Sequence, residues 1–174
     1  IGILAALIFL GAISYGVIID VAQHRRFRLL GLNTKLILTF IPVMLLLGAG
    51  LFLVFEYSNP DTLGALPVSQ KLTTSMFEAV NYTAGFSTID YAEANQGTGF
   101  IMSALMFVGG ASASVAGGIK INTLAVVMVA VASTVQGRAH ASAYGREIPD
   151  EQVRRALTVG SISLGMLLLV ILFL

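Results

Sequence analysis

Several long apolar runs, separated by short charged connections, restrict the fold of this chain more than any other feature of its sequence. The runs approach or exceed the roughly 20 residues that a helix needs to cross a bilayer. Of the 174 residues, 56% are hydrophobic and 11% are charged, whereas a soluble domain usually carries about twice that charged fraction. The sequence therefore predicts an all-α protein embedded in a lipid bilayer.

Reactive side chains are sparse, which argues against an enzyme. The chain has no cysteine, so disulfides, thiolate metal sites and thiol nucleophiles are excluded. His24 and His140 fall in charged connections, and neither has a Ser or Cys nucleophile pattern nearby. We therefore expect neither an enzyme nor a bound cofactor, and no nucleic-acid partner.

The charge distribution predicts how the first two spans cross the membrane. The first span is expected at 1–19 and the second at 35–57, where Pro42 is tolerated because it lies in the first two turns. Basic residues dominate the connection at 20–34 and the residue that follows it: Arg25, Arg26, Arg28 and Lys35. By the positive-inside rule, this connection lies in the cytoplasm.

The segment at 58–97 has acids but only one basic residue, and we expect it on the extracytoplasmic side. Within it, 68–82 has one modest apolar face at helical spacing. This stretch is too short and too polar to span the bilayer. Two interpretations remain: an amphipathic helix on the membrane surface, or a re-entrant pore helix whose C-terminus points at the loop that follows.

The loop at 83–88 begins with Thr83-Ala84-Gly85-Phe86, which has the same sequence logic as the Thr-Val-Gly-Tyr core of a potassium-channel filter. A cation stripped of water needs a ring of backbone carbonyls, and a short extended loop can present them. Gly85 permits the backbone angles that point successive carbonyls at one axis. The simpler interpretation of Gly85 is an ordinary turn glycine, so the surrounding segments have to support the filter.

The stretch at 98–137 is too long for one span, and its part before the glycines, 99–108, is too short to cross the bilayer alone. A continuous helix of this length would reach roughly 60 Å, about twice the thickness of the hydrocarbon core. Glycine pairs flank small residues between Gly109 and Gly118, so we predict a broken span with an intramembrane loop at 109–119. Non-helical backbone at membrane depth is tolerated only inside protein or along a water-filled cavity. The break therefore indicates a pathway.

The charged stretch from Arg138 to Arg155 has a small basic excess, so the connection at 138–152 is also expected in the cytoplasm. Pro149 and the two acids after it are typical of a helix start. The last span is predicted at 153–174. Because both ends of the sequence are apolar, we expect a fragment of a longer polytopic protein.

Three segments together resemble the Trk/Ktr/HKT superfamily of cation transporters, above all its bacterial members. They are the filter-like segment at 81–90, the glycine-rich stretch at 106–120, and the connector with Gly145-Arg146-Glu147-Ile148-Pro149. They occur in the order and spacing of that family, and the resemblance covers essentially the whole chain. It implies a potassium-channel-like repeat of span, pore helix, filter and broken second span, here the third of four repeats with parts of its neighbours.

The resemblance also implies which residues act. Backbone carbonyls of four filter residues would bind the transported K⁺ or Na⁺: Thr83, Ala84, Gly85 and Phe86. The loop beneath would gate passage through nine residues: Gly109, Gly110, Ala111, Ser112, Ala113, Ser114, Gly117, Gly118 and Lys120. Tyr82 departs from the family, which commonly has Arg at this position. The implied assembly is a homodimer in the cell membrane, regulated by a cytoplasmic nucleotide-binding subunit.

Several alternatives remain open. A broken helix also builds the midplane substrate site of secondary transporters, and a sodium-selective member of the same family would share every motif. The glycine-rich loop is also compatible with a scaffold in which small residues only serve close helix packing. Lys120 is compatible with a snorkelling side chain. Glu78 is expected to face the outer vestibule, while Asp90 and Glu93 are solvated acids or attract cations to the mouth.

Overall fold

The structure is a computed structural model, and it describes residues 2–82, 84–112, 114 and 117–173. Within these residues the chain forms seven α-helices: α1 (Gly2–Ala12), α2 (Tyr15–Gln23), α3 (Leu32–Glu56), α4 (Val68–Asn81), α5 (Gln96–Phe107), α6 (Ile121–Val135) and α7 (Asp150–Phe173). A short antiparallel hairpin joins β1 (Ser142–Ala143) to β2 (Arg146–Glu147). A 3-10 turn covers Phe27–Leu29 and a π-helical turn covers Pro60–Gly64.

Among the described residues, two helices are long and apolar enough to cross a membrane, α3 with 25 residues and α7 with 24. Helices α1 and α2 make a third candidate when they are taken as one span bent by 90°. The sequence predicted one continuous span at 1–19, whereas the structure interrupts the helix at Ser14 and extends its second part to Gln23. The Ser14 backbone is extended, and its Oγ accepts the Val17 N–H at 3.4 Å. A serine that caps a new helix in this way competes with continuation of the preceding one.

Helix α3 lies at the centre of the fold and packs against α2, α4, α5 and α6. Two buried apolar clusters flank it. The first consists of Val17, Ile37, Ile41, Ala111 and Ile121. The second consists of Phe52, Leu63, Tyr82, Met102 and Leu105. The core therefore extends to both segments that the sequence singled out, through Tyr82 before the filter and Ala111 in the glycine-rich loop.

The stretch predicted as a broken span consists of α5, an irregular segment and α6. With 12 and 15 residues, each of these helices is shorter than a full span. The last helix begins at Asp150, at the helix start that the sequence predicted. Pro149 precedes it, and the acids Asp150 and Glu151 suit the positive end of a helix dipole. The helix predicted at 68–82 corresponds to α4.

The two connections that were expected in the cytoplasm meet on one face of the fold. The ring of Tyr144, between β1 and β2, meets the ring of Phe27 edge-on with centroids 5.8 Å apart. The Tyr144 hydroxyl lies 2.6 Å from Thr39 Oγ1. Lys35 was expected to extend the basic connection, but α3 begins before it and the residue is buried. Its Nζ donates to the Arg28 carbonyl at 3.0 Å.

Candidate functional site

The filter-like segment follows directly from the C-terminus of α4. The N–H groups of Ala84 and Gly85 both donate to the Asn81 carbonyl, at 2.9 and 3.1 Å, so the chain turns sharply as the helix ends. Gly85 has a φ of +75°, and a Cβ built on it would meet nothing within 4 Å. Ala84, Gly85 and Phe86 are exposed, while Thr83 lies outside the described residues. The glycine is therefore required by its backbone angle and not by lack of space.

The segment after the filter-like residues is held by a buried carboxylate. Glu78 of α4 is 1% exposed, and its Oε1 accepts both the N–H and the hydroxyl of Thr88 at 2.7 Å. Its Oε2 accepts the Tyr91 hydroxyl at 3.1 Å. The Ser87 hydroxyl lies 3.3 Å from the same oxygen and shares its single proton with the nearer Ile89 carbonyl at 2.8 Å. We call residues 87–91 the filter arm. The expectation that Glu78 faces the outer vestibule is therefore wrong, because its carboxylate points inward to these donors.

Tyr91 is a dependable donor to that carboxylate. Partial burial raises the pKa of its phenol well above the usual 10.0, and the neighbouring Glu78 charge and hydrogen bond add to the effect. A phenol is protonated at neutral pH even at its usual pKa, so it donates there, and the raised pKa extends the protonated form to more alkaline pH. A weak signal for this cluster is visible in the sequence: an acid near the end of α4, followed by a Ser-Thr pair and a tyrosine in the next loop.

The residues just before the filter are buried. Tyr82, which stands where the family commonly has Arg, belongs to the second apolar cluster and is 9% exposed. Asn81 is 1% exposed, and its side-chain oxygen and nitrogen find no hydrogen-bond partner among the described residues. The position before the filter thus carries an apolar ring in this chain.

The glycine-rich loop is closed at its base by backbone pairing. Gly109 donates to the Ile119 carbonyl and Ile119 donates to the Phe107 carbonyl, both at 2.8 Å. A Cβ built on Gly109 would lie 1.4 Å from the Gly117 carbonyl oxygen, so only glycine permits this approach. Gly118 has a φ of +76°. Close backbone packing therefore fixes the two ends of the loop together.

Further contacts attach this loop to the surrounding helices. The Ala111 N–H donates to the carbonyl of Ala12, at the end of α1, at 2.9 Å. The Ser112 N–H donates to Asn122 Oδ1 at 3.0 Å, and the Asn122 amide donates to Asn33 Oδ1. The loop is thereby tied to α1, α3 and α6.

The remaining predicted loop residues differ in exposure. Ser112, Gly117 and Gly118 are exposed, and Gly110 is buried. The Ser114 N–H donates to Ala111, whereas Ala113 lies outside the described residues. Lys120 is partly buried and is the N-cap residue of α6. Its carbonyl accepts the Thr123 and Leu124 N–H groups at 2.8 and 3.3 Å. Lys120 therefore ends the loop and starts the helix.

A small cavity lies between the two predicted segments. Its volume is about 20 Å³, and its lining includes Val80 and Tyr82 from the end of α4 and Gly109 and Gly110 from the loop. The structure therefore places the base of the filter segment opposite the base of the glycine-rich loop, although they are far apart in sequence.

The short helix α4 ends in an exposed glycine turn, and irregular backbone interrupts the span that consists of α5 and α6. The fold is therefore that of an all-α membrane protein with irregular backbone in its interior. Residues 2–174 match the TrkH family of cation transport proteins. The chain belongs to this family, which confirms the resemblance to the Trk/Ktr/HKT superfamily.

Individual relatives support this family. Ktr system potassium uptake protein B of Bacillus subtilis (strain 168) is 36% identical over 163 residues, which are 93% of this chain and 37% of that protein. Potassium/sodium uptake protein NtpJ of Enterococcus hirae is 31% identical over 99% of this chain and 38% of that protein. The crystal structure of the potassium transporter TrkH from Vibrio parahaemolyticus has the same fold, with a TM-score of 0.65 over 90% of this chain and 35% of that one, at 17% identity. The chain thus spans little more than a third of these relatives.

Proposed function

We propose that this chain contributes one filter segment and its gate to a potassium uptake pore. The backbone carbonyls of Thr83, Ala84, Gly85 and Phe86 would replace water around the passing ion. The observation that carries this proposal is the place of the exposed residues 84–86 directly after α4, in a chain of the TrkH family. The positive φ of Gly85 is also what an ordinary turn glycine would have. Carbonyl groups at the C-terminal end of a helix also carry partial negative charge, which favours a cation there.

We infer that the ion is potassium. The Bacillus subtilis relative is named for potassium uptake. The Enterococcus hirae relative is named for both potassium and sodium, so sodium transport by the same site is the second candidate. Tyr82 supplies no positive charge behind the filter, which sets this chain apart from the usual family pattern.

The glycine-rich loop is proposed as the gate below the filter. Its members are Gly109, Gly110, Ala111, Ser112, Ala113, Ser114, Gly117, Gly118 and Lys120. Irregular backbone next to a small cavity between the end of α4 and the base of the loop supports this role. Small side chains would let the loop move aside without opening large voids.

A substitution in the filter tests the function. Gly85→Ser in the full-length protein adds roughly 1–2 kcal/mol of backbone strain at positive φ. Gly137→Ser is the matched control, because Gly137 also has positive φ and open space around it, but follows α6 away from the filter. We expect lost uptake or altered potassium/sodium preference only for Gly85→Ser, in a potassium-uptake-deficient bacterium with normal membrane levels. Equal behaviour of both variants would refute the filter.

The gate has its own matched pair. Gly109→Ala forces the loop base apart, whereas a Cβ at Gly99, in α5 outside the loop, meets nothing within 4 Å. We expect Gly109→Ala to change flux per molecule by about tenfold or more, since close packing permits little relaxation, and Gly99→Ala to leave it near wild type. If Gly109→Ala only lowers the amount of protein, the loop serves packing alone.

The assembly is proposed to be a homodimer in the plasma membrane, with 20–34 and 138–152 in the cytoplasm and 58–97 outside. Contact between Phe27 and Tyr144 supports placing the connections at 20–34 and 138–152 on the same side of the membrane. Exposed basic residues offer a docking face for a nucleotide-binding regulatory subunit: Arg25, Arg26 and Arg28. Replacing all three with Gln should weaken regulator binding without preventing membrane insertion, and unchanged binding would remove this role.

A further inference from the structure

We propose that Glu78 is a positioning residue for ion selection, because its buried carboxylate fixes the filter arm and, through it, the filter. This inference rests on the proposed function of 83–86 as a filter. It goes further in naming a side chain that never touches the ion and yet governs which ion passes.

The contacts of Glu78 all go to one segment. Within the described residues, its hydrogen bonds are donated by Ser87, Thr88 and Tyr91, and both carboxylate oxygens are used. The two shortest, at 2.7 Å, both come from Thr88. The filter arm has no regular secondary structure. The carboxylate is therefore a fixed point of attachment for a loop that lacks a backbone ladder of its own.

Packing alone does not account for a carboxylate at this position. Burying an ionisable group is costly unless hydrogen bonds compensate for lost water, and an apolar side chain of similar size often stabilises a core as well or better. Glu78 is 1% exposed. Its charge-assisted hydrogen bonds, which are stronger than neutral ones, all hold the filter arm.

The filter is thus attached to α4 at both of its ends. On the entry side, Asn81 accepts the N–H groups of Ala84 and Gly85. On the exit side, Ser87 directly follows Phe86, so the arm held by Glu78 begins one peptide unit after the filter. Ion preference in a carbonyl filter depends on the number and position of its carbonyls. Releasing the exit end should therefore disturb selection more than overall stability.

The test compares potassium and sodium uptake by the full-length protein carrying Glu78→Ala or Glu78→Gln. For Glu78→Ala we expect the potassium/sodium preference to fall by about tenfold, because the arm loses all its hydrogen bonds to this side chain. Glu78→Gln should lie between wild type and Glu78→Ala, since the amide oxygen still accepts from Thr88. Glu56→Gln is the matched control, because the carboxylate of this second buried glutamate accepts no hydrogen bond from the filter arm in the described structure.

The outcomes separate this proposal from the proposed function. An unchanged ion preference in Glu78→Ala, with Gly85→Ser still altering it, would overturn the role of Glu78 and leave the filter intact. A preference that neither variant alters would overturn the filter itself. If Glu78→Ala does not reach the membrane, Glu78→Gln and Tyr91→Phe decide: a lowered preference in either supports the proposal, and an unchanged preference in both refutes it.

Discussion

Glu56 and Glu78 are two buried glutamates with similar chemistry and different neighbours. They are 0% and 1% exposed, and each accepts four hydrogen bonds from described residues. Those to Glu78 come only from the filter arm, within one loop. Those to Glu56 come from two separate parts of the chain. The same buried carboxylate therefore holds the scaffold in one region and the candidate filter in the other.

The Glu56 cluster joins the end of α3 to the start of α5. Asn59 and Thr62, at the π-helical turn, donate at 2.7 and 2.6 Å. The Asn95 N–H donates at 2.9 Å, and the Thr98 hydroxyl donates to Oε1. Because these donors come from segments that pack into the core, we expect their loss to reduce stability with no direct effect on the ion.

The largest expected effect breaks the Glu56 cluster. Glu56→Ala should lower the free energy of unfolding by about 3 kcal/mol, because several buried donors lose their acceptor. Thermal unfolding of the purified full-length protein measures this loss. Glu93→Ala removes an exposed acid from the same region and should stay within about 0.5 kcal/mol. If Glu56→Ala changed ion preference as strongly as Glu78→Ala, the distinction between the two regions would be lost.

Removing one threonine hydroxyl from each glutamate cluster tests the same comparison, with smaller expected losses of stability. Thr98→Val should lower the free energy of unfolding by about 1–2 kcal/mol, since Thr98 is buried and its hydroxyl bonds Glu56. Thr88→Val should cost less than about 0.5 kcal/mol, because Thr88 is exposed and keeps its N–H bond to Glu78. Uptake assays should instead show a shifted potassium/sodium preference for Thr88→Val only. The reverse assignment of effects would contradict our interpretation.

The smallest expected effect concerns Tyr91→Phe, which removes one donor to Glu78. We expect a loss of about 0.5–1 kcal/mol and a slight fall in ion preference. Since the folded-state pKa of Tyr91 is raised, the contribution of its phenol is complete below the usual pKa and disappears only as pH rises through the raised one. The difference between wild type and Tyr91→Phe should therefore be constant near neutral pH. A change across that range would mean that another group titrates.

Composition and the positions of the glycines were enough to predict the fold class and one break in a helix. Apolar runs predicted an all-α membrane protein, which the family and the fold confirm. The break in 98–137 was predictable because paired glycines disfavour a continuous helix. The break at Ser14 was not predicted, because a single serine inside an apolar run is compatible with a helix unless its side chain caps a new one.

Sequence alone therefore determined that the chain is an all-α membrane protein and where its two long helices, α3 and α7, lie. These properties depend on residue type and near neighbours, through burial of apolar surface and backbone freedom. Only the tertiary structure decided what the two glutamates do. The donors to Glu78 lie nine to thirteen residues away, and Thr98 lies 42 residues from Glu56. A buried charge requires donors wherever the fold brings them, and no local pattern specifies that arrangement.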